Sequence, residues 1–108
     1  MSLRKNFHKY VPAVAGWNRI IGMDIYGDWD EDAARSKVAA DPDRALAALE
    51  AAVAECIDGF KINPSCPALD QCLGLIAEGR IAGIVGHDLD ALSSKANDVW
   101  KRERENAR

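Results

Sequence analysis

The stretch Asp41–Phe60 constrains the fold more than any other part of the chain. Asp41 is a helix-capping residue type, Pro42 fits a first helical position, and Asp43 places negative charge where the helix dipole is positive. Leu46, Leu49, Val53, Cys56, Ile57 and Phe60 then recur at three- and four-residue steps, so they share one face of an α-helix. Ala45, Ala47, Ala48, Ala51, Ala52 and Ala54 fill the intervening positions, and such small side chains let a neighbouring helix approach closely. A helix of this kind predicts a small all-α domain.

Weaker periodicities extend the reading in both directions. Tyr10, Val14, Trp17, Ile21 and Ile25 step by four, three, four and four, with Pro12 in the first turn. Gly16 and Gly22 weaken this helix by about 1 kcal/mol each relative to alanine. A strand over 19–26 is the rival, with suitable residue types but poor alternation, and the helix is favoured. Gly27 ends the element. A short helix over Glu31–Ala40 follows, capped by Asp30 and supported by Glu31 with Arg35 at i,i+4. Its apolar face, Ala33, Ala34 and Val38, is thin.

Beyond the long helix, Asp58-Gly59 and Asn63-Pro64 break the chain, and Pro67 opens a fourth helix with Leu69, Cys72, Leu73 and Ile76 inward. Gly79 is expected to terminate it. Residues 80–87 read as a helical turn or an irregular buried link. A last helix starts near Asp88, with Leu89, Leu92, Ala96, Val99 and Trp100 on one face. The expectation is an antiparallel bundle of four or five helices in one domain over 10–102. A loosely ordered basic arm over 1–9 precedes it and a frayed tail over 103–108 follows.

Charge is distributed unevenly about a net −3. Residues 1–19 carry Arg4, Lys5, Lys9 and Arg19 and no acid, while residues 24–32 carry Asp24, Asp28, Asp30, Glu31 and Asp32 and no base. The acidic segment, with Trp29 in its middle, is the leading candidate site. An exposed Trp ringed by carboxylates would combine an apolar anchor with charge steering, as binding hot spots do. Helix capping and solvation explain the same carboxylates without a partner, and packing of Trp29 against Ala34 would weaken the binding reading. Asp28-x-Asp30-x-Asp32 imitates the opening of a calcium loop, but Ala33 stands where that loop needs Gly and Ala39 where it needs Glu. No metal or cofactor is expected.

The remaining polar residues assemble into nothing catalytic. His8 lies in the basic arm and His87 beside Asp88, and adjacent side chains need not meet. Ser65, Cys66 and Ser93 are nucleophiles by type only, with no base or orienting group at informative spacing. The run from Gly79 to Gly86 lacks the Lys-Ser/Thr pair of a phosphate loop. Cys56 and Cys72 fall on apolar faces, Cys66 lies in a loop, and an odd count without a CxxC pair opposes a disulfide framework or a zinc site. Reduced cysteines, no apolar run near the roughly 20 residues of a membrane span, and no apolar segment after Arg4 and Lys5 suggest a cytoplasmic protein.

The functional expectation is a non-enzymatic protein-binding module. It would be an inhibitor or adaptor of the antitoxin, immunity or anti-defence type, working through Asp24, Asp28, Trp29, Asp30, Glu31 and Asp32 on another protein, the acidic charge favouring a basic one. The alternative is a nucleic-acid-binding regulator using Arg4, Lys5, Lys9 and Arg19. The acidic balance opposes it, as do Asp88 and Asp90 at the start of the last helix, where a recognition helix would meet DNA. A homodimer closing over the thin face of residues 31–40 is a third possibility.

Overall fold

Most helix boundaries among the described residues have an identifiable cause. The computed structural model describes residues 12–84 and 86–106. These form α1 (Pro12–Ile21), α2 (Glu31–Ala40), α3 (Pro42–Gly59), α4 (Cys66–Ile81) and α5 (Gly86–Asn106), with no strand among the described residues. The basic arm over 1–9 lies outside them.

α1 places Val14, Trp17 and Ile21 in the core along one helical stripe. Its first turn is capped from another helix. Glu55 Oε2 on α3 accepts the N–H groups of Ala13 (2.8 Å) and Val14 (3.2 Å), two donors with no partner inside α1. The helix stops at Ile21, short of the expected extension to Ile25, and the rival strand is not formed either. Gly22 adopts a left-handed conformation (φ 73°), Met23 N–H donates to Asn18 C=O at 2.9 Å, and Gly22 N–H to Arg19 C=O at 3.3 Å. These are the paired bonds of a Schellman stop, which glycine closes without strain. Residues 22–30 are consequently a loop.

α2 and α3 follow the expected boundaries. Asp30 Oδ1 accepts from Asp32 and Ala33 N–H at the start of α2. Asp41 ends α2 and begins α3, its carboxylate accepting from Arg44 N–H while Pro42 occupies the first turn. The stripe on α3 faces inward: Leu49, Val53, Ile57 and the C-capping Phe60 are buried, with Leu46 and Cys56 half-buried against the core. α1 lies along α3 with its N-terminus beside Glu55, so the two run antiparallel.

α4 sits between α3 and α5. Ser65 Oγ caps it by accepting from Ala68 N–H, and Pro67 falls in its first turn. Cys72, Leu75 and Ile76 are buried, while Leu69 and Leu73 are half-buried. The helix runs past Gly79 and ends instead at Gly83 (φ 97°). There Ile84 N–H bonds Gly79 C=O and Gly83 N–H bonds Arg80 C=O, a second Schellman stop. α5 returns antiparallel and continues to Asn106, beyond the point where fraying was expected. Its last turns are held to the start of α4: Trp100 Nε1–H donates to Ser65 C=O (2.9 Å), and Arg104 lies over the Trp100 ring and donates to Pro64 C=O.

Two neighbouring residues of α4 meet the centre of the core in opposite ways. Glu78 is fully buried, and its Oε1 accepts the indole N–H of Trp17 at 3.0 Å, linking α4 to α1. Gly79 is buried where α3, α4 and α5 converge. A Cβ there would lie 2.5 Å from Leu49 Cδ2 and 3.3 Å from Leu89 Cδ2. Gly79 is therefore a close-packing residue rather than a terminator. Gly79→Ala should destabilise the protein by about 1–3 kcal/mol in urea unfolding, because crowding Leu49 outweighs the helix propensity gained. Adding Leu49→Val should recover part of that loss. An alanine variant more stable than the parent would contradict the packing account.

Candidate functional site

The segment from Asp24 to Asp32 is built largely from its own carboxylates. Asp24 Oδ1 accepts from the backbone N–H of Tyr26 (2.8 Å) and of Asp28 (3.0 Å). The Asp24 backbone completes the loop, donating to Asp28 C=O and accepting from Gly27 N–H. Gly27 takes up the left-handed conformation (φ 86°) that the reversal requires. These bonds hold a tight turn whose tip is Ile25-Tyr26.

The remaining acids have structural partners as well. Asp30 caps α2. Glu31 and Asp32 pair with Arg35 at 3.4 and 3.1 Å, and Arg35 Nε–H donates to Ile81 C=O, tying α2 to the end of α4. Both pairs are solvent-exposed and contribute at most a fraction of a kcal/mol each. Asp28 is exposed, and among the described residues its carboxylate has no hydrogen bond or ion pair.

Trp29 is not the exposed anchor that the sequence suggested. Only 6% of it reaches solvent, and it belongs to the core with Ala34 and Val38 of α2. Burial of so large an apolar side chain outweighs its exposure beside acids. Within this segment the apolar groups presented to solvent are the two before Gly27: Ile25 is 65% and Tyr26 79% exposed, and outside it Ile62 is exposed too. Sequence reasoning assigned Ile25 to the buried face of α1 and passed over Tyr26. The spacing of Asp24 and Gly27, an acid that can bond backbone two and four residues on and a glycine free to reverse the chain, was the available signal.

The alternative site is divided. Arg4, Lys5 and Lys9 lie outside the described residues, and so does His8. Arg19 is exposed on α1, facing a groove between α1, α2 and α3. His87 is exposed on the first turn of α5. Among the described residues no three His, Cys, Asp or Glu side chains gather as metal ligands would, and no helix is long and apolar enough to cross a membrane.

None of the three cysteines is in a disulfide, and they occupy different settings. Cys66 is exposed at the first position of α4, with Arg104 Nη1 3.7 Å from its Sγ. Cys56 is half-buried and Cys72 buried. Burial, and secondarily the neighbouring Cys56, lift the Cys72 thiol from 9.0 to about 12. Above about pH 9 the unfolded chain releases this proton while the folded chain retains it, so ionisation favours unfolding. The associated stability is complete below pH 9 and falls as pH rises toward 12, by at most about 1.4 kcal/mol per pH unit. Denaturant unfolding between pH 8 and 11 should therefore give a shallower alkaline decline for Cys72→Ala than for the parent. Equal slopes would mean that Cys72 is not protected by burial.

No family model, curated protein or solved structure matches this chain.

Proposed function

We propose that this protein is a non-enzymatic binding module, an inhibitor or adaptor of the antitoxin, immunity or anti-defence type, that engages another protein through the loop at residues 24–28. The observation that carries the reading is the exposed Ile25-Tyr26 tip on a turn already held by Asp24. A preformed loop loses little conformational entropy on association. Tyr26 supplies a large, semi-rigid contact surface with a hydroxyl for a partner's polar group, the combination enriched at hot spots.

The acidic segment keeps a part in this proposal with its roles redistributed. Asp24 shapes the loop, Asp28 offers an exposed carboxylate beside the tip, and Asp30, Glu31 and Asp32 contribute a negative field around it that favours a basic partner. Trp29, buried in the core, is not part of the proposed contact surface. A cytoplasmic setting belongs to the same proposal and rests on the odd cysteine count with no CxxC pair.

Affinity capture from lysate of the native cells, followed by titration of the captured protein, tests the reading. Tyr26→Ser, an exposed substitution, should leave the unfolding midpoint unchanged and weaken the partner by about 2 kcal/mol, roughly 30-fold. Asp28→Lys should slow association with a basic partner and reduce its salt dependence. Partners captured equally well by the parent and by an Ile25→Ser, Tyr26→Ser chain would contradict the proposal.

A further inference from the structure

The second half of α1, the end of α2 and the first half of α3 enclose an open groove of about 790 Å³. Its floor is apolar: Gly16 and Ile20 from α1 and Ala48 from α3 are half-buried there, and Ala45 of α3 is buried. Three cationic side chains stand on its rim, Arg19 on α1, Lys37 on α2 and Arg44 on α3, and all three are exposed. Among the described residues none of these side chains has an ion-pair or hydrogen-bond partner. Asp41, which also lines the groove, has its carboxylate bonded to the Arg44 backbone N–H as a helix cap.

We propose that this groove seats an amphipathic helix of a partner protein, with its apolar seam on the floor of Gly16, Ile20 and Ala48 and its carboxylates on Arg19, Lys37 and Arg44. The small residues Gly16 and Ala48 favour a close helix approach, and Ile20 adds apolar contact area. The α3 side, from Asp41 to Ala48, runs roughly 10 Å, which is about two turns and matches the i, i+3, i+4, i+7 anchors by which helices bind grooves. The unpaired cations set the charge of the occupant. A nucleic-acid backbone would satisfy the cations but has no apolar seam for the floor, and the protein's net −3 repels it. This site is independent of the Ile25-Tyr26 loop: the two surfaces differ in charge and share no residue.

Fluorescence anisotropy with three labelled probes tests the proposal. They are a helical peptide of about four turns with a leucine-alanine seam flanked by glutamates, the same peptide with lysines in place of the glutamates, and a short DNA duplex. The glutamate peptide should bind at least about tenfold more tightly than either of the others. Arg19→Glu with Arg44→Glu, both at exposed positions, should weaken the glutamate peptide about tenfold and strengthen the lysine peptide, with helix content unchanged by circular dichroism. Ala48→Leu, which fills the floor without altering charge, should weaken the glutamate peptide as well. Tyr26→Ser should leave its binding intact, which separates this site from the loop. The proposal is overturned if the glutamate peptide fails to bind at millimolar concentration or shows no preference over the lysine peptide. It is equally overturned if the DNA binds more tightly or if charge reversal has no effect.

Discussion

A carboxyl group with no solvent exposure sits in the core of this bundle, and the hydrogen bond that it accepts from an indole sets the arrangement of the helices around it. Glu78 on α4 and Trp17 on α1 are both fully buried, with 3.0 Å between Oε1 and Nε1. A polar pair of this kind contributes little net energy when complete and costs about 1–3 kcal/mol when one partner is lost. Its effect is mainly on specificity. At the next residue, Gly79, a Cβ would force Leu49 to shift. Rotating α4 by one residue, about 100°, would place Glu78 against apolar side chains and a side chain against Leu49. One azimuth of α4 satisfies both residues, and α3 and α5 pack on either side of it.

With the core set in this way, the surface loops are held by short-range chemistry. The Schellman stop at Gly22 releases the chain from α1, Asp24 turns it, and Trp29 returns it to the core before Asp30 starts α2. The side chains of residues 25 and 26 are the part of this circuit turned to solvent. The cationic groove follows from the same circuit. α2 is short and its apolar face is limited to Ala34 and Val38, so it leaves part of the first turns of α3 open, where half-buried Ala48 lies beside Arg19, Lys37 and Arg44. The acidic loop and the basic groove are thus two consequences of the way one short helix is inserted between two longer ones.

Elements specified by adjacent residues were legible in advance. The boundaries of α2 and α3 follow from Asp30 and from Asp41-Pro42, and the α3 stripe follows from its spacing, because caps and periodicity act within a few residues. What depended on contacts across the fold was not legible. Gly22 was read as weakening α1 when it stops it, and Gly79 as stopping α4 when it is packed inside it. Composition does not distinguish a left-handed glycine from one opposite a buried leucine. Trp29 can serve as anchor or core, and only the position of Ala34 and Val38 decides. Glu78 was passed over because a glutamate beside a helical apolar face normally points to water. The available hint was that a core tryptophan such as Trp17 needs an acceptor for its indole N–H. Of the six acidic-segment residues selected as a binding site, five have identifiable structural roles, and the exposed apolar pair lies between two of them.

Hydrogen exchange at the indole Nε1 of Trp17, followed by NMR in the folded protein and compared with that of Trp100, tests the buried pair most directly. Trp100 donates to Ser65 at the half-buried edge of the bundle and serves as the internal reference. If the Trp17–Glu78 bond organises the core, the Trp17 indole proton will exchange only through global unfolding and show the full denaturant dependence of that transition. Exchange of Trp17 at the rate of Trp100, insensitive to denaturant, would contradict the account.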